Sequence, residues 1–180
     1  MKELVVLTAV GRDRVGIVER VSAEILKRGC NIEESRAAIL GGEFALIVLV
    51  SGESDTIRAL ESMRSQLAET LDLEVMLRPT QAERTIDRGR PYRIESVSLD
   101  TPGIVHAVTT VLRERGINID SLETDTTGAP FTGAPMFHAS LSVIVPPETS
   151  IAELRRRFAE VADEYDLDIS IKPIVTTPDE

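Results

Sequence analysis

Leu4 to Val10 is a nearly unbroken apolar run, as expected of a central strand covered on both faces. From Gly16 onward the apolar residues Val18, Val21, Ile25 and Leu26 follow helical spacing, and Gly29 stops the helix. Asn31 to Leu40 reads as a strand that carries Glu33, Glu34 and Arg36, charges typical of a sheet edge. Gly41-Gly42 supplies a tight hairpin turn, and Phe44 to Val50 is the returning strand. Ile57, Leu60, Met63, Leu67 and Leu71 then predict one amphipathic helix, opened by the polar Ser54-Asp55-Thr56. Leu73 to Leu77 is a last strand, stopped by Pro79, so the order is β-α-β-β-α-β.

The chain then says the same thing again. Asp13 and Asp100, Gly16 and Gly103, Gly29 and Gly116, and Asn31 and Asn118 all differ by 87 positions, so no insertion separates the copies over this stretch. A strand over Tyr92–Leu99, a helix over Gly103–Arg115 and a strand over Asn118–Asp125 follow in the same order. Ile151, Leu154, Phe158, Val161 and Tyr165 mark the second helix of this copy, and Leu167–Ile174 its last strand. Thr80 to Arg90 is polar, lacks apolar periodicity and ends at Pro91, so the expected division is a first domain 1–79, a linker 80–91 and a second domain 92–180. Phe44 matches Phe137 at a difference of 93, which gives the second hairpin six extra residues. They fall in the tandem Thr-Gly-Ala-Pro of Thr127 to Pro135, which is expected to end the ladder and project as a loop. Right-handed βαβ crossovers put both helices of a copy on one sheet face. Each copy is therefore expected to be an α+β, ferredoxin-like sandwich, with helices on one face of an antiparallel sheet of strand order 4-1-3-2. Ala45, Ile47 and Leu49 then lie on the open face of the first sheet, where the second copy has His138, Ser140 and Ser142.

Charge and composition narrow the function classes. The formal net charge of −10 repels nucleic acid and anionic membrane surfaces, so direct DNA binding is not expected. Without Trp, and with few aromatics, the cores must be filled by Val, Ile, Leu and Ala, with Phe44, Phe131, Phe137 and Phe158 as the large pieces. Cys30 is the single cysteine. It excludes an internal disulfide, suits a reducing compartment, and reads as a small buried hydrophobe just after a helix. Met1-Lys2-Glu3 runs straight into a strand with no signal-peptide pattern, and no apolar run approaches a membrane span, so the expectation is a cytoplasmic protein.

The candidate chemistry lies where each first strand turns into its helix. Asp13, Val15, Gly16 and Ile17 form that turn in the first copy, and Asp100, Pro102, Gly103 and Ile104 in the second. A helix start has N–H groups without partners and a positive dipole end, and Gly permits close approach to the backbone, so a small carboxylate or phosphate fits there. Asn31 and Asn118 each add an amide with one acceptor and two donors at the start of the next strand. Together these groups suit a free amino acid, with its carboxylate on the helix end and its ammonium on the amide oxygen. The structural alternative makes Asp13 and Asp100 turn or cap residues, the glycines packing residues, and the asparagines helix stops.

Two β-α-β-β-α-β units with Asp-x-x-Gly before the first helix and Asn-Ile after it resemble a tandem pair of ACT domains, small regulatory modules that bind amino acids. Glu34-Ser35-Arg36-Ala37 with Gly41-Gly42-Glu43-Phe44-Ala45, and Gly133-Ala134-Pro135-Met136-Phe137 in the second unit, resemble the glycine cleavage system transcriptional repressor family. Members of that family are two ACT domains and little else. The resemblance implies ligand sites at Asp13 to Ile17 with Asn31 and at Asp100 to Ile104 with Asn118, at the seam where ACT units meet. It also implies a free amino acid as ligand, glycine or serine among the candidates, and control exerted through a regulatory protein partner. The family favours Pro before the Gly, as at Pro102, whereas the first copy has Val15.

Nothing in the sequence marks an enzyme. His106 and His138 have no Cys or second His at metal-ligand spacing, the carboxylates are spread over helix surfaces, and Arg155-Arg156-Arg157 reads as a solvated face. No catalytic residue, metal or cofactor is expected. The expectation is a non-enzymatic regulatory amino-acid-binding protein, dimeric through the apolar open face of its first sheet. The alternative is a constitutive interaction module with vestigial pockets.

Overall fold

A computed structural model of the chain describes residues 2–81 and 89–174. The chain divides into two compact units, Met1–Glu83 and Arg84–Glu180. The first contains β1 (Lys2–Arg12), α1 (Ile17–Lys27), β2 (Asn31–Leu40), β3 (Glu43–Glu53), α2 (Ser54–Ser62), α3 (Arg64–Leu71) and β4 (Glu74–Thr80). The second contains β5 (Arg90–Leu99), α4 (Ile104–Glu114), β6 (Asn118–Gly128), β7 (Pro135–Val145), α5 (Ile151–Tyr165) and β8 (Leu167–Pro173). Each unit has one antiparallel four-stranded sheet, ordered β2-β3-β1-β4 and β6-β7-β5-β8. This is the expected ferredoxin-like order, read from the opposite edge.

Strand alternation sorts the side chains. Val5, Leu7 and Ala9 of β1 and Phe44, Leu46, Val48 and Val50 of β3 are buried against Ile17, Val21 and Ile25 of α1, Ile57 and Leu60 of α2, and Leu67 and Leu71 of α3. Cys30 is buried in the same core, as a free thiol. In the second unit Ile94, Leu141 and Val143 meet Ile104, Val108, Val111 and Leu112 of α4 and Leu154, Phe158 and Val161 of α5. The opposite faces are open and unlike. The first exposes Ile47 and Met76 and half-buries Val6, Ala45 and Leu49, whereas the second presents Glu95, His138, Ser140 and Ser142.

Five local expectations need correction. The helix expected from Ile57 to Leu71 is two helices, broken at Met63 (φ −96°, ψ 11°). Ile57, Leu60, Leu67 and Leu71 hold one buried stripe, but Arg64 falls where the stripe's next apolar residue would come and Met63 sits one place early. Pro79 does not stop β4. It pairs with Val5 on an edge strand, where a missing N–H facing outward costs no ladder bond. The tandem Thr-Gly-Ala-Pro does not end the β6–β7 ladder, which runs to Gly128 opposite Pro135, beyond the last β5 pair at Leu99 and Met136. Only residues 129–134 form the tip, tied by Ala129 N–H to Ala134 O (2.7 Å) and Gly133 N–H to Ala129 O (2.9 Å). Phe131 is not a core residue: it stands fully exposed on that tip with φ 72°. Arg90 and Pro91, expected in the linker, belong to β5, and residues 82–88 of that linker lie outside the described residues.

Candidate functional site

Both glycine turns adopt one geometry. Gly16 (φ 91°, ψ 5°) and Gly103 (φ 102°, ψ −11°) are the residues preceding α1 and α4, in a left-handed conformation that strains any side chain. Val15 in place of proline therefore leaves the turn unaltered. Gly16 O accepts from Arg20 N–H (3.0 Å) and Gly103 O from Ala107 N–H (2.9 Å), which starts each helix. No side chain caps either one, so the N–H groups of the first turn have no partner in the helix and lie at its positive end. Asp13 and Asp100 are not caps: their N–H groups donate to Gly42 O and Pro135 O, both at 3.0 Å, and tie the turn to the neighbouring hairpin. Their carboxylates are exposed beside the helix start. Ile17 and Ile104 send their side chains into the cores, so only their backbone can meet a ligand.

The asparagines lie elsewhere. Asn31 pairs with Ser51, which lies opposite Leu4 near the beginning of β1, whereas the Asp13–Ile17 turn follows Arg12 at its end. Eight strand residues, about 26 Å, separate the two levels. Asn118 stands in the same relation to Gly103, through Ile144 and Pro91. A helix that returns along the sheet brings the chain back to the end where the first strand began. Within one unit, therefore, the glycine turn and the asparagine do not come together. Asn31 Nδ2 donates to Glu33 (3.3 Å), while Asn118 borders an open groove of about 530 Å³ with His106, Thr110 and Arg113. His138 lies on β7 with its Nε2 3.3 Å from the Thr127 hydroxyl. Among the described residues, no three His, Cys, Asp or Glu side chains are placed to hold a metal ion.

Two side chains at the turns carry no motif signal. Arg14 donates to the Leu71 carbonyl and to Asp72 Oδ2 (2.6 Å), joining the first turn to the end of α3. In the second unit the ring of Tyr165, at the end of α5, lies against Gly103. Sequence reading placed Tyr165 on the helix stripe and gave Arg14 no role. The only available signal was their position, Arg14 inside the turn and Tyr165 aligned with Leu71.

ACT-domain models match residues 3–78 and 92–163. The glycine cleavage system transcriptional repressor of Escherichia coli K12 is 31% identical over 174 residues, covering 94% of this chain and 89% of the relative. This chain is a tandem ACT-domain protein of that repressor family. A crystal structure of an unknown protein from Galdieria sulphuraria superposes with a TM-score of 0.82 at 34% identity, covering 97% of this chain and all of the other. A UPF0237 protein of Streptococcus mutans is 34% identical over 71 residues, 39% of this chain and 81% of its own length. The E. coli relative is named as a transcriptional repressor. Among the described residues no helix is long and apolar enough to cross a membrane.

Proposed function

We propose that this chain is a non-enzymatic, cytoplasmic regulatory protein that binds a free amino acid, glycine or serine first among the candidates. Occupancy would alter its contact with a transcriptional regulator. Domains 1–79 and 92–180 would each contribute one glycine turn. The observation that carries this reading is the uncapped helix start behind a left-handed glycine, built twice in a chain of net charge −10. Such an acidic protein holds a carboxylate only at a local positive end. The ammonium finds a carboxylate in the same turn, at Asp100, rather than the amide of Asn118 about 26 Å away. The E. coli relative is named for repressing transcription, and the charge of this chain favours a protein partner over DNA. Linkage then requires the ligand to prefer one of two partner-binding states.

The test is a thermal-shift screen of the full chain against the twenty standard amino acids. A ligand at about a hundred times its Kd adds roughly 2.7 kcal/mol if it binds only the folded state. For a chain of this size that is a rise on the order of 5 to 10 °C. If none moves the melt at millimolar concentration, the sensor reading fails and a constitutive interaction module takes its place. The tethering of Arg14 across the first turn favours that alternative for the first unit alone.

A further inference from the structure

The corner where the first strand of each unit begins, at the opposite end of that strand from the glycine turn, is filled in one copy and open in the other. In the first unit Glu3 shares the helix-facing side of β1 with Val5, and its carboxylate accepts from the Ser54 hydroxyl (2.6 Å) at the start of α2. The chain thus seats an oxyanion of its own beside a helix start, where the dipole favours negative charge. Glu3 and Arg90 differ by 87 positions, as do Val5 and Tyr92, so the second copy has a guanidinium where the first has the carboxylate. An open groove of about 530 Å³ lies at this second corner, with Arg90, Tyr92, Thr149 and Ile151 beside a wall of Pro146 and Pro147, and no carboxylate lines it. Arg90 is exposed, and neither it nor the Thr149 hydroxyl has a partner among the described residues. Ser150 caps α5 by accepting from Glu153 N–H (3.4 Å), which leaves the N–H groups of Ile151 and Ala152 without a partner in the helix.

Tyr92 is the independent sign of a ligand. Its side chain belongs to the core, on the same side of β5 as Arg90, and is only 9% exposed. A buried tyrosine ordinarily finds a partner for its hydroxyl, but that of Tyr92 has none among the described residues. The hydroxyls of Ser96 and Ser98, on the same side of β5, are unpaired and sealed from solvent. The Tyr92 hydroxyl is not sealed, so the phenol ends in the groove that it lines.

We infer that the corner formed by Arg90, Tyr92 and the start of α5 binds a small organic acid, which brings from outside the carboxylate that Glu3 supplies in the first unit. That carboxylate accepts from the Arg90 guanidinium and the Tyr92 hydroxyl at the positive end of α5, and a short apolar body lies on Pro146, Pro147 and Ile151. A cation on one side, and no carboxylate in the lining to hold an ammonium, select against an amino acid. Arg90 and Leu99 are the two ends of β5, about 30 Å apart, so this site is separate from the Gly103 turn and does not depend on amino-acid binding there.

The experiment is titration of the full chain with butyrate at constant ionic strength, followed by tyrosine emission, beside glycine, inorganic phosphate and chloride. The chain has two tyrosines and no tryptophan, so in Tyr165→Phe the emission reports Tyr92 alone. A saturable change is expected with butyrate and none with the other three. Arg90→Gln should weaken binding about tenfold or more, as the loss of a hydrogen bond to a charged group does. Tyr92→Phe, followed by the butyrate-induced rise in melting midpoint, should also weaken it while the unliganded midpoint stays level or rises, an outcome that a tyrosine held only for packing would not give. Arg90→Glu rebuilds the arrangement of the first unit and should abolish the butyrate response. Butyrate that gives no saturable change, the same change from glycine, phosphate or chloride, or wild-type affinity in Arg90→Gln would each overturn the inference and leave the amino-acid reading of the glycine turns untouched.

Discussion

Glu33 accepts hydrogen bonds from Lys2 Nζ (2.8 Å), from the Ser51 hydroxyl and from Asn31 Nδ2 (3.3 Å). The Lys2 ammonium first, then the hydroxyl and the amide, lower its carboxyl from 4.5 to about 2. Because the folded value is depressed, the cluster's stabilisation is complete above pH 4.5 and is lost as the pH falls toward 2. Melting midpoints of the wild type and Glu33→Gln should therefore differ most near pH 6, converge below pH 4.5 and coincide near pH 2. A difference that stays constant across that range would show that the ionised carboxylate contributes nothing. The charges are exposed, so added salt should shrink the gap. This cluster also gives Asn31 a local partner that its sequence context does not announce. Its amide is used by a carboxylate two residues away, and Ser51, the other neighbour, is a cross-strand partner that no local pattern reveals. Tyr165 was hidden differently, since its spacing is that of an ordinary core position and only the fold brings it to Gly103.

At the level of elements, apolar periodicity was enough wherever one face alone is buried. Phe44–Val50 and the stripe from Ile151 to Tyr165 became the elements their spacing implied, whereas the unbroken run Leu4–Val10, expected to be covered on both faces, buries only Val5, Leu7 and Ala9 and leaves Val6 and Val10 on the open side. It failed where a non-local partner decides the outcome. Pro79 is harmless because β4 is an edge, and Pro135 because β5 has already ended, and neither fact is visible locally. The direction of α1 and α4 likewise separates each glycine turn from its asparagine, although the sequence interval alone suggested proximity. The hairpin tip offers a test of local backbone cost. Phe131 holds φ 72° while fully exposed, and a left-handed residue with a side chain is strained by about 1 kcal/mol. Phe131→Gly should accordingly leave the fold intact and raise the denaturant midpoint slightly. A clear fall would mean that the ring is packed in solution.

For the whole molecule, self-association is governed by the balance between net charge and one apolar surface. The open face of the first sheet combines Val6, Ala45, Ile47, Leu49 and Met76, with Ile47 47% and Met76 56% exposed. Register places Glu34 and Arg36, and Glu74 and Arg78, on that same side, so the charges around its apolar centre cancel. The corresponding face of the second unit has Arg93, Glu95, Glu123, Asp125, His138 and Lys172 and gains nothing from leaving water. A chain of net charge −10 repels its copies at long range, but at physiological salt that repulsion fades beyond about 8 Å and the neutral face adds none. Contiguous apolar surface is seldom left in water, and a symmetric dimer is the commonest way for identical chains to cover it. Sedimentation at micromolar concentration is therefore expected to show a dimer, tighter at higher salt because screening removes the opposing charge. Ile47→Asp would put a carboxylate in the middle of the face, and a side chain already half in water can change without unfolding its unit. The variant should sediment as a monomer with an unchanged melting midpoint at the lowest concentrations. A wild type that stays monomeric at all concentrations and salts would show that this face is not a contact between copies.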